Sequence, residues 1–147
     1  MEYWKYRAID KLKDYHLQKI ALVSIPEEIA MLESEAQSIR SATADGTPVK
    51  GGGSGREDRL LSNIVSREEL QKMYDRTRKA VSIVDRGLQA LTYDERHILE
   101  QMYIYREKGS VYRLMDEYKL AEESSLYKKA NKALLRFTVA MYGATEN

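Results

Sequence analysis

Apolar residues recur three and four positions apart along nearly the whole of this 147-residue chain, and that spacing admits helices and little else. Two prolines, few β-branched runs and a third of residues charged point the same way. The expected fold class is all-α, from a chain long enough to bury a core without staples. There is no cysteine, which removes disulfides and thiolate metal sites. His16 and His97 are the only imidazoles, and neither has carboxylates at ligand spacing, so no metal or cofactor is expected. No apolar run approaches the roughly 18 residues of a membrane span. Met1 to Lys13 lacks the apolar centre of a signal peptide, and a cytoplasmic protein without a membrane partner is the expectation.

The spacing divides the chain. Trp4, Ala8, Leu12, Tyr15, Ile20 and Val23 mark a first helix over 2–23. Ser24, Pro26 and Glu27 then form a helix-start signal, since serine caps, proline suits the first turn and the glutamate closes a capping box. A second helix to about Arg40, with Ile25, Ile29, Leu32, Ala36 and Ile39 on its apolar stripe, would complete an N-terminal helical hairpin over 1–43. Residues 44–55 hold Asp45-Gly46, Pro48 and the run Gly51 to Gly55, which predict a flexible loop. The run is no phosphate cradle, because it lacks the lysine-serine or lysine-threonine pair and no strand precedes it.

Residues 56–91 predict a long central helix. Its buried side is marked by Leu60, Leu61, Ile64, Leu70, Met73, Tyr74, Ala80, Val81, Val84, Leu88 and Leu91. Ser66 and Glu69 allow a kink, and Thr77 and Gly87 interrupt the heptad. A helix this long packs inside the chain or pairs with a second copy, giving a homodimer through a coiled coil.

The last segment, 92–143, carries the functional expectation. Thr92 to Glu95 form a capping box for a helix that turns Ile98, Leu99, Met102 and Tyr105 inward. Ser110 can cap a short helix with Val111, Leu114, Met115 and Tyr118 inside. A turn over Lys119 to Glu123 leads to a last helix ended by Gly143. Helix, short helix, turn and long helix is the layout of a helix-turn-helix. At 100° per residue, Leu126, Leu134, Phe137 and Met141 fall within about 40° of Ala130. Ser124, Ser125, Lys128, Lys129, Asn131, Lys132 and Arg136 fall on the other side, with no acid among residues 124–136. Lysines attract phosphates, and serine and asparagine can reach base edges. The expected DNA-binding residues are therefore Ser124, Ser125, Lys128, Lys129, Asn131 and Lys132. The net charge of +1 supplies no general positive field, so the argument rests on this local face.

Leu91-Thr92-Tyr93-Asp94-Glu95-Arg96, Ile98-Leu99 and Ala133-Leu134-Leu135-Arg136-Phe137 resemble the promoter-reading C-terminal region of sigma factors. Leu126 to Ala130, with Ala133 to Phe137 and Met141-Tyr142-Gly143, is also similar to sigma-like phage late-gene regulators of the ArpU and RinA kind. The resemblance covers roughly 56–143. It implies a C-terminal sigma-like helix-turn-helix, a transcription regulator of phage or prophage origin, and double-stranded DNA and RNA polymerase as partners. A small terminase-like DNA-packaging subunit or a helical assembly or adaptor protein is the alternative. No nucleophile, acid-base pair or metal cluster stands out, so an enzyme is not expected.

Overall fold

A computed structural model describes residues 2–44 and 53–145. Among the described residues, five α-helices follow in order: α1 (Tyr3–Ala44), α2 (Gly53–Gln89), α3 (Tyr93–Leu99), α4 (Ser110–Glu117) and α5 (Glu123–Tyr142). A π-helical turn, Glu100–Ile104, extends α3. The fold is all-α, and no strand occurs among the described residues. No helix among them is long and apolar enough to cross a membrane. The chain forms two compact units. One joins the segment up to Lys19 to the chain from Lys79 onward, and the other is Ile20–Arg78.

The expected hairpin over 1–43 is instead a single helix, since α1 continues through Pro26. Proline removes one backbone donor, but Pro26 is exposed, where water can serve the freed carbonyl. Ser24 does not cap; its hydroxyl donates to the Ile20 carbonyl at 3.3 Å, one turn back within the same helix. The sheltered stripe explains the continuity. It runs through Tyr15, Gln18, Leu22, Ile25, Ile29, Leu32, Ala36 and Ile39, alternating three and four residues without a break. Ile20 and Val23, expected inside, stand exposed.

In the unit Ile20–Arg78, the hairpin partner of α1 is α2. Asn63 is buried, donates through Nδ2 to the Leu32 carbonyl at 2.8 Å, and accepts from Arg67 Nε at 2.8 Å. Leu32 stands about as far before the end of α1 as Asn63 stands after the start of α2, so the chain turns back on itself. The sheltered positions on α2 are Arg56, Leu60, Asn63, Arg67, Leu70, Tyr74 and Thr77, again alternating three and four. This is the period of 3.5 residues that lets two helices stay in contact over many turns. Leu61, Ile64 and Met73, expected on the buried side, are exposed because they lie off this seam. Helix α2 continues through Ser66 without interruption. The loop expected over 44–55 lies mostly outside the described residues, and the chain is already helical from Gly53.

The other unit has the larger core. Trp4, Ala8, Leu12 and Tyr15 of α1 are buried there, as are Val81, Val84 and Leu88 of α2. From α5 come Leu126, Ala130, Ala133, Leu134 and Phe137, all at 0% exposure. Gly87 allows the close approach of α2 and α5: a β-carbon there would stand 2.9 Å from Met141 Cγ and 3.0 Å from two Phe137 ring carbons. The glycine that interrupts the heptad is thus the site where the Phe137 ring sits. Tyr15 donates its hydroxyl to Asp85; burial, then that carboxylate, hold its proton well above the usual tyrosine range.

Candidate nucleic-acid interface

The helix-turn-helix is built from local signals upward. Thr92 Oγ1 accepts from the Glu95 amide at 3.3 Å, and Glu95 Oε1 accepts from the Thr92 amide at 3.1 Å, so the expected capping box opens α3. After Leu99 the backbone widens into the π turn, and the Tyr105 amide bonds to the Glu100 carbonyl at 2.8 Å. The wide turn changes the helical phase. Ile104 is buried and Tyr105, expected inside, is half exposed.

Gly109 enters α4 in the left-handed conformation (φ 82°) as its N-cap. Ser110, expected as the cap, is instead the first helical residue and is buried. The exit of α4 is a paired-bond helix stop. The Leu120 amide reaches the Met115 carbonyl at 2.8 Å and the Lys119 amide the Asp116 carbonyl at 3.2 Å, with Lys119 left-handed (φ 55°). Met115 and Leu120 both pack on a core of Ile98, Met102, Leu114, Leu126 and Ala130, which joins α3, the π turn, α4 and α5. Two polar ties brace α3 against α4: His97 Nε2 lies 3.1 Å from Glu117 Oε2, and Tyr118 donates to Asp94 at 3.0 Å. Burial, then Asp94, raise the Tyr118 hydroxyl above its usual range.

On α5 the buried side is the expected one, with Leu126, Ala130, Leu134 and Phe137 inside and Met141 half-buried. The opposite side carries the expected interface residues. Ser124, Lys128, Lys129 and Lys132 are exposed, while Ser125 and Asn131 are half-buried. Among the described residues, Lys128, Lys129 and Lys132 make no ion pair. Arg136 differs from them, because its guanidinium lies 3.3 Å from Glu95 Oε1. The carboxylate that closes the α3 capping box therefore also ties down α5. That link was invisible in the sequence, where 41 positions separate the partners and no local rule connects them.

Acids stand at the start of α5. Glu122 is its N-cap with extended backbone and accepts from the Ser124 hydroxyl at 3.2 Å, and Glu123 follows in the first turn. Both suit the positive end of the helix dipole. No group of three His, Asp or Glu side chains among the described residues could hold a metal ion. No known family matches the chain, and neither the curated proteins nor the solved structures contain a match.

Proposed function

We propose that the N-terminal half of α5 binds double-stranded DNA in the major groove and that the protein is a sigma-like transcription regulator of phage or prophage origin. The observation that carries the reading is the division of α5. Its apolar side is consumed by the core, and its other side holds three lysines free of acidic partners beside Ser124, Ser125 and Asn131. A duplex suits this face better than a single strand. Single-strand sites stack successive bases on several aromatic side chains, and the exposed side of the N-terminal half of α5 offers one, Tyr127. Lys128 and Lys132, one turn apart, serve as phosphate contacts. Ser125 and Asn131 serve as base readers. Farther along α5, Leu135 and Val139 are exposed apolar residues at 44% and 42% and supply a surface for RNA polymerase.

The test is selection of duplexes from a random pool, followed by salt titration of binding. Affinity is expected to fall as salt rises, by a log–log slope of about 0.9 per neutralised phosphate. Lys128→Ala and Lys132→Ala each lower that slope by about 1 and weaken all sequences alike, whereas Asn131→Ala relaxes preference at one position. Wild type that shows no salt-dependent binding refutes the reading. The compact α1–α2 hairpin of Ile20–Arg78, separate from the helix-turn-helix, favours a second reading as a DNA-packaging or assembly subunit. A solution mass many times the 17.0 kDa of the chain would support that one.

A further inference from the structure

Among the described residues, two other than glycine adopt the left-handed backbone, and both are cations: Arg106 (φ 50°) and Lys119 (φ 55°). Arg106 follows the π turn, four positions before α4 begins, and Lys119 lies in the turn that ends α4. In this conformation a β-carbon crowds the neighbouring carbonyl, which glycine avoids and asparagine tolerates. Glycine stands at the two other left-handed positions among the described residues, Gly109 and Gly143. Arginine and lysine at these positions therefore cost stability that glycine would not.

Neither cation recovers that cost through a partner. Both are exposed, and neither forms an ion pair among the described residues. Two neighbouring acids are engaged elsewhere, Glu107 with Arg113 at 3.2 Å and Glu117 with His97 at 3.1 Å.

We infer that Arg106 and Lys119 are phosphate contacts, one before α4 and one after it, that add to the lysines of α5 in holding the duplex. The inference rests on the DNA-binding reading and adds two binding residues outside the last helix. With them, phosphate contact extends beyond the lysines of α5, which the near-neutral chain otherwise carries alone. Strain retained at two exposed positions has a function here: glycine would relieve it and forfeit the charge.

The experiment compares Arg106→Gly, Lys119→Gly and Lys119→Asn with wild type and Lys128→Ala in the full chain. Thermal unfolding and salt-titrated binding to a selected duplex are measured on each. The glycine variants are expected to raise the unfolding midpoint by about 2–4 °C. Each is expected to weaken binding about eightfold at 0.1 M salt and to lower the log–log slope by about 1. Lys119→Asn tolerates the same backbone without the charge and should show the same loss of binding. If the glycine variants bind as wild type while Lys128→Ala weakens, this inference fails and the DNA reading stands. If wild type binds no duplex, both fall. A midpoint that stays level or drops in the glycine variants also overturns the inference, since the cations would then serve the fold, through the dipoles of the helices they follow.

Discussion

Replacing Gly87 by alanine tests the packing that positions α5. In an open helix this change is stabilising by up to about 1 kcal/mol, because glycine is the poorer helix former. Here the added carbon would meet Met141 Cγ at 2.9 Å and the Phe137 ring at 3.0 Å. Relaxed carbon contacts lie near 3.5–4.0 Å, so three pairs are too close by roughly 0.5–1 Å. Met141 is half-buried and flexible and can yield. Phe137 is fully buried with no free space to enter, so α5 must shift or the ring leave its rotamer. Overpacking of this kind costs about 1–3 kcal/mol, which leaves a net effect between about zero and a loss of about 2 kcal/mol after the helix gain. Urea unfolding followed by circular dichroism reads the difference. In a double-mutant cycle, Phe137→Leu should cost less in the Gly87→Ala background than in wild type, because the smaller side chain makes room. A Gly87→Ala protein stabilised by about 1 kcal/mol, as in an unencumbered helix, would refute the reasoning.

Three further outcomes are expected. Phe137→Ala should destabilise by about 3–5 kcal/mol, and a loss under about 1 kcal/mol in the same urea titration would take Phe137 out of the core. Tyr15 and Tyr118 keep their protons above the ordinary value of 10.0 in the folded state, while the unfolded chain releases them near it. Stability should therefore hold up to about pH 10 and fall as pH rises further, with a shallower fall in Tyr15→Phe; urea midpoints at about pH 9 and pH 11 measure this. Glu122→Gln and Glu123→Gln remove like charges from the end of α5 nearest the phosphates, and each should tighten duplex binding several-fold at low salt while leaving selected sequences unchanged.

The parts of the fold that were legible in the sequence are those set by neighbours a few residues apart. The Thr92–Glu95 box is one, since both partners lie within a single turn. The buried side of α5 is another, because Leu126, Leu134 and Phe137 are large, apolar and regularly spaced. The misreadings share a different cause. At Ser24, Pro26 and Glu27 a local start signal lost to a long seam that continued on both sides of it. On α2 the seam includes Arg56, Asn63, Arg67 and Thr77, so reading apolar residues alone selected Leu61 and Ile64 instead. Asn63 is inside because the Leu32 carbonyl waits for it, which no pattern along one helix can reveal. The lysines of α5 were found by their phase, but the diversion of Arg136 to Glu95 needed the packed helices.

The π turn at Glu100–Ile104 amounts to a splice between two helical frames. Ile98, Met102 and Tyr105 share a face in a regular helix, yet Ile104 is the residue that goes inside. One residue more than an α-helix needs has been absorbed there, and the widened backbone keeps that surplus local instead of passing it down the chain. Deleting a single residue from the turn would remove the surplus, restore an ordinary helix and leave the segment beyond it in its present frame. Forcing the turn into a regular helix with every residue kept would instead rotate that segment by about 100°, and Gly109, with the entry to α4, would leave its position. In length-changing variants this turn is therefore where the helix-turn-helix should tolerate a one-residue deletion, and the helix carrying the deletion would itself become more regular.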